Sequence, residues 1–311
     1  MDIELKERFK GCIIGVGIGD ALGAPVEGFT EEEIKEKYGE IKDYVTNKSL
    51  ELKRGEYTDD TSMTLCILEA LVENGFFDIH SIIKKFLKWF NEHPKGIGNT
   101  TFNALYLIEQ GYTYDEASKM AYTTLSAGNG AAMRVAPIPL FDYKKGIETV
   151  VQDTIDASII THYHPESIAG AIATSLIIYH NIHRGDKNKL IEFLLGKGRE
   201  FIQNNKILNA IESVPEISEN ELQRGGYIVD TLKTSLWIFL NTENFIEAIQ
   251  NSVNGGGDTD TIGAIVGAFA GSYYGIKNIP ENYIKALKNS NYIMELAEKL
   301  YEISILDKMY F

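Results

Sequence analysis

Apolar residues recur at mixed three- and four-residue steps over 5–19, the spacing of one helix face, and the pattern breaks at Gly19-Asp20-Ala21-Leu22-Gly23-Ala24-Pro25. Thr30 followed by Glu33 has the form of a capping box and predicts a short helix ending at Tyr38. A helix over 60–74 would bury Met63, Ile67, Ala70 and Leu71 on one face and close at Gly75. Asp78 predicts the cap of another that runs to Trp89 before Pro94. The same period predicts helices over 101–110, 114–124, 145–160, 165–183, 187–203, 230–240, 243–253, 260–274 and 280–303, the last broken near Asn289-Ser290-Asn291. Strand-like alternation is confined to a scrap at Tyr44-Val45, and neither a linker nor a fixed-period repeat divides the chain. A single compact all-α domain over 1–311 is expected.

One predicted helix has an unusual face. Gly263, Gly267 and Gly271 follow one another at four-residue spacing beside Ala264 and Ala268. Each glycine weakens an isolated helix by about 1 kcal/mol relative to alanine, so three in a line need a packing reason. The expectation is a central helix that a neighbour's backbone approaches closely, with a functionally important N-terminus.

Composition narrows the function classes. Of 311 residues, 44% are hydrophobic and 24% charged, an ordinary globular balance, and the formal net charge is −14. Such a surface repels phosphate backbones, so nucleic acid is a poor partner. Cys12 and Cys66 are isolated and read as small buried hydrophobes. Residues 1–10 lack the apolar core of a signal peptide, and the apolar run 262–276 is short for a bilayer. A cytoplasmic monomer with no membrane partner is expected.

Two distant segments share a chemical form: Thr58-Asp59-Asp60-Thr61 and Gly257-Asp258-Thr259-Asp260-Thr261. Each puts two carboxylates and neighbouring threonines at the mouth of a predicted helix. Either alone reads as capping, which the helix dipole favours. Capping does not need paired carboxylates, which repel. If the mouths meet, four carboxylates converge and must protonate or bind cations. Oxygen ligands of this kind suit Mg²⁺ or Mn²⁺, and a pair of such ions is a known way of activating water. Gly128-Asn129-Gly130 has the composition of an anion-binding nest, or of a plain turn. His80, His93, His180 and His183 have no motif around them and are expected at the surface.

With these segments, Gly11-Cys12-Ile13-Ile14-Gly15, Gly19 to Glu27, Ile97-Gly98-Asn99-Thr100-Thr101, Gly128 to Arg134 and Thr161-His162, the chain resembles the ADP-ribosylglycohydrolase family over nearly its whole length. The resemblance implies an all-α fold and a centre of two divalent metal ions, Mg²⁺ or Mn²⁺. It implies Thr58, Asp59, Asp60, Asp258, Asp260 and Thr261 as metal ligands. Glu27, Asp59 and Asp260 become the catalytic candidates, Glu27 as the acidic residue of the first loop. Asn99, Ser126, Gly128, Asn129, Gly130 and His162 would bind the substrate. The implied partner is an ADP-ribosylated protein or a small ADP-ribose conjugate, whose glycosidic bond is hydrolysed. Arginine-directed members carry an acidic residue just before the Ile-Gly-Asn block, where Gly96 stands here, so arginine specificity is not implied. The family also holds crystallin-like structural members, which leaves a non-catalytic or purely ADP-ribose-binding role as the alternative.

Overall fold

The computed structural model describes residues 3–47, 51–123 and 127–306. Its helices are α1 (Ile3–Gly23), α2 (Glu31–Tyr38), α3 (Asp59–Asn74), α4 (Ile79–Phe90), α5 (Asn99–Glu109), α6 (Tyr114–Ala121), α7 (Pro137–Phe141), α8 (Ile147–Ile159), α9 (Pro165–Ile182), α10 (Leu190–Leu195), α11 (Arg199–Ile202), α12 (Asn205–Ser213), α13 (Ile228–Leu240), α14 (Phe245–Asn254), α15 (Thr259–Tyr274), α16 (Glu281–Ala286) and α17 (Ser290–Ile305). Among the described residues there are isolated bridges but no β-strand, and Tyr44-Val45 forms none.

The centre of the molecule is the antiparallel pair α1 and α15. Their glycines face each other in sequence: Gly11 meets Gly271, Gly15 meets Gly267, Gly19 meets Gly263, and Gly23 meets Thr259. A Cβ placed on Gly19 would stand 1.8 Å from the Gly263 carbonyl oxygen, and one on Gly15 would stand 2.1 Å from that of Gly267. The two backbones therefore touch along their length, which any side chain would prevent. This contact also explains why α1 does not stop at Gly19. Its glycines are packing positions inside a buried helix, and the chain turns only at Pro25. By length and composition 4–26 could cross a bilayer, but 94% of its 18-residue apolar window is buried inside the protein.

Helices α9, α13 and α14 pack on α15, while α3 and α17 pack on α1. Thr30 and Glu33 form the expected reciprocal capping box, and Asp78 caps α4 through the N–H groups of His80 and Ser81. Gly75 ends α3 in the left-handed conformation, and Asn289, at φ 57°, separates α16 from α17. The predicted helix over 187–203 is instead a 3₁₀ turn, α10 and α11, interrupted where Gly196 and Gly198 fall. The α6 helix ends at Ala121, short of 124. Helix α12, capped by Asn204 on the N–H groups of Lys206 and Ile207, was not expected at all.

Candidate active site

The α1–α15 contact ends at Gly23 and Thr259, where the Thr259 hydroxyl donates to the Gly23 carbonyl at 2.9 Å. This registers the mouth of α15 against the end of α1. The loop after α1 is then stitched to the acidic segment: Gly28 N–H donates to the Gly257 carbonyl and Gly257 N–H to that of Phe29, both at 2.8 Å. Gly256 and Gly257 have φ of 74° and 80°, and a Cβ on Gly257 would strike the Arg224 carbonyl at 1.9 Å, so glycine is required there. The outcome is that Glu27, Asp258 and Asp260 present carboxylate oxygens within 4.8 Å of one another.

The mouth of α3 is placed by a residue for which the sequence suggested no role. Asp20, fully buried on α1, accepts the Thr58 and Thr61 N–H groups at 3.0 and 2.9 Å and their hydroxyls at 2.8 and 2.6 Å. Thr58 makes no capping bond with its own side chain. Helix α3 is thus capped from another helix, which fixes Asp59 and Asp60 relative to α1 and, through the glycine contact, to α15. The available signal was a lone carboxylate in the apolar, glycine-rich stretch 11–26. Buried charge of that kind needs partners of its own.

The two mouths meet. Helix α3 packs on α15, the charge of Asp60 acts on Asp260 and that of Asp258 on Asp60, and Glu27 crowds against Asp258 and Asp260. Asp59, Asp60 and Asp260 are buried, as are Thr58 and Thr61, while Glu27 lies at the solvent-facing rim. Burial raises the carboxyl groups of Asp59 and Asp60 well above the usual range, assisted by the charge of Asp20. Asp260 is raised in the same way, by burial and then by Asp60. Burial followed by the charge of Asp258 raises Glu27. Asp60 Oδ1 is buried without any hydrogen-bond partner. An orphaned carboxylate oxygen among crowded carboxylates and threonine hydroxyls is a donor set suited to hard divalent cations.

The Gly-Asn-Gly loop borders the cluster at Asp258, to which the Asn129 side chain donates at 2.6 Å while also bonding Thr231 at 3.0 Å. It is not an anion nest. The Asn129 N–H is used by the Gly226 carbonyl at 3.1 Å, and neither Gly128 nor Gly130 has positive φ. Gly130 instead makes room for His162, whose Cε1 would lie 2.8 Å from a Cβ there. His162 is buried beneath the loop, its Nδ1 2.8 Å from the Thr161 hydroxyl, and burial together with the Arg134 charge pushes it down to about 3. It is a neutral ring that supports the loop. Arg134, also fully buried, bonds the Gly130 carbonyl at 3.1 Å and Thr161 at 2.8 Å and lies over Phe86. Asn99 is exposed at the first turn of α5. Gly96, just ahead of it, has φ 83° and would place a Cβ 2.9 Å from Asp59 Oδ1. Ser126 lies outside the described residues.

The all-helical fold thus brings two acid-bearing helix mouths together on one oxygen-lined centre. A sequence profile of the ADP-ribosylglycohydrolase family matches residues 1–308. The chain is 32% identical over 307 residues to an ADP-ribosylarginine hydrolase of Serratia proteamaculans, covering 96% of this chain and 80% of that protein. It is 31% identical to the ADP-ribosyl-[dinitrogen reductase] glycohydrolase of Rhodospirillum rubrum, covering 91% of each. A solved structure described as an ADP-ribosylglycohydrolase-related protein complex superposes with a TM-score of 0.83 at 30% identity, covering 97% of this chain and 99% of its own. The chain belongs to the ADP-ribosylglycohydrolase family and is an ADP-ribosyl hydrolase.

Proposed function

We propose that this protein hydrolyses the bond between the distal ribose of ADP-ribose and a modified amino-acid side chain or small adduct, using a pair of divalent cations. The observation that carries the reading is the gathering of Glu27, Asp258 and Asp260 within 4.8 Å beside the buried pair Asp59 and Asp60, one of whose oxygens has no partner. Thr58, Asp59, Asp60, Asp258, Asp260 and Thr261 would hold Mg²⁺ or Mn²⁺, which when bound would supply Lewis-acid polarisation of a water and of ribose hydroxyls.

The residues of the chain do the rest. Glu27, at the rim and with a raised carboxyl group, is positioned to accept a proton from the attacking water. The acidic shell eases the positive charge that develops on the ribose ring. Asn129 holds Asp258, and the Gly-Asn-Gly loop with Asn99 lines the approach for ribose and diphosphate. Tyr227 is 37% exposed beside that loop, and its hydroxyl is anchored to Glu166 at 2.7 Å. A ring held in this way offers a face for adenine.

The two relatives named for arginine and for dinitrogen reductase support a protein-linked substrate. The test is a panel of ADP-ribosyl-arginine, ADP-ribosyl-serine and O-acetyl-ADP-ribose, each with Mg²⁺, Mn²⁺ or chelator. Release of ADP-ribose from at least one substrate, only with metal, is expected. Binding without turnover across the panel would favour a non-catalytic module instead.

A further inference from the structure

The acid cluster has a second border besides the Gly-Asn-Gly loop. The segment leading into α5 meets it at Asp59, through Gly96, and the outward face of α5 continues from there as an aromatic ledge. Phe102 and Tyr106, one turn apart, are 43% and 47% exposed, their rings parallel within 4° at 6.3 Å between centroids. Phe90 of α4 stands edge-on to Phe102 at 5.4 Å. With Pro94, Ile97 and Glu109 these residues line a groove of about 370 Å³. The opposite face of α5, with Thr101, Ala104 and Leu105, is buried, so the exposed rings are not left over from a poorly packed helix. Contiguous exposed aromatics beside a reaction centre mark a binding surface, since aromatic side chains bury large areas at low entropic cost.

Resting on the reading that the bond cut links ADP-ribose to a protein, we infer that this groove seats the polypeptide of the modified protein, taking an apolar side chain near the modified residue. Three observations select that occupant. The groove adjoins the cluster on the Asp59 side, since Ile97 in its lining follows Gly96, whereas the loop with Tyr227, the surface suited to the nucleotide, reaches the cluster at Asp258. Its lining is mostly apolar and holds no lysine or arginine while including Glu109, which does not suit a diphosphate. Its reach fits a peptide: Tyr106 lies roughly 10 Å along α5 from Asn99 at about 1.5 Å per residue, the span of about three residues of extended chain.

The test uses the full-length protein, its metal and the linkage that it cleaves, presented three ways. These are the free ADP-ribosyl amino acid, a decapeptide with leucine three positions to either side of the modified residue, and the same peptide with glycine there. The expected result is a KM about tenfold lower for the leucine peptide than for the glycine peptide, the worth of partly burying one leucine. Phe102→Ala and Tyr106→Ala should each abolish that preference while hydrolysing the free conjugate within about twofold of wild type. Equal KM for the two peptides, or a preference that survives both alanines, overturns the groove and leaves the hydrolase reading intact. Equal loss on the free conjugate also overturns it, by making the rings supports of the centre. A wild type that cleaves none of the three removes the hydrolase reading and the groove with it.

Discussion

At the scale of single residues, two carboxylates near the same centre do different work, and substitution can separate them. Glu27 sits at the rim on a loop held by two backbone hydrogen bonds that do not involve its side chain. Glu27→Gln is expected to cut turnover on the order of 10²–10⁴-fold with little change in affinity for ADP-ribose, the pattern of a lost proton acceptor. The melting temperature should hold or rise, because a repelling charge is removed from beside Asp258 and Asp260. Asp20→Asn should act in the opposite sense. It sets an amide N–H₂ against Thr58 and Thr61 groups that are themselves donors. A loss of about 2–3 kcal/mol is expected, although the change also relieves repulsion on Asp59 and Asp60. Denaturant melts and steady-state kinetics on the two variants read both effects. An unchanged Asp20→Asn midpoint would mean that α3 is not capped from α1. Of these two residues, Glu27 was legible only through family resemblance. Asp20 lies in the same motif, but the partners that explain it are 38 and 41 positions away.

At the scale of elements, the sequence was most readable where a single helix decides its own structure. The capping box at Thr30, the cap at Asp78, the stop at Gly75 and the break at Asn289 are local chemistry, and all of them form. It was least readable where tertiary contact overrides the local rule. The glycines of α15 announced a close neighbour, but of the neighbour's own glycines Gly19 and Gly23 fall where the local pattern predicts a helix end. The two readings are reconciled only by antiparallel pairing. The pairing predicts that Gly19→Ala is far more costly than helix propensity would suggest, since its Cβ would meet the Gly263 carbonyl at 1.8 Å and backbone cannot swing aside. Destabilisation of about 3 kcal/mol or more is expected, with loss of activity because the helix mouths separate. Gly225→Ala, where a Cβ meets nothing within 4 Å, serves as control and should stay within about 0.5 kcal/mol. Similar melting midpoints for the two variants would refute the backbone contact.

For the whole molecule, six of its 44 acidic residues, Asp20, Glu27, Asp59, Asp60, Asp258 and Asp260, gather at one centre. The carboxyl groups of Asp59, Asp60 and Asp260 are raised, by burial first and then by neighbouring acids, so the metal-free folded state holds protons that the unfolded chain releases. Where the folded state binds more protons, stability falls as pH rises. The stabilisation is fully present below the unfolded carboxyl pKa and is lost as pH climbs through the raised values. A divalent cation that binds only the folded site adds RT ln(1 + [L]/Kd), about 2.7 kcal/mol at a hundredfold excess over Kd, and replaces the protons in neutralising the cluster. In chelator, the melting temperature is therefore expected to decline as pH rises above the ordinary carboxyl range of about 4. Saturating Mg²⁺ or Mn²⁺ should raise it and flatten that decline, most strongly at the alkaline end where the carboxylates are free to bind. Sodium chloride of matched ionic strength controls for screening of the surface charge, which acts over about 10 Å and is not specific to the cluster. Asp258→Asn should keep the response to sodium and lose most of the response to magnesium. If sodium and magnesium raise the melting temperature equally, the acids at the two helix mouths behave as surface charge, and the cation-binding centre is excluded.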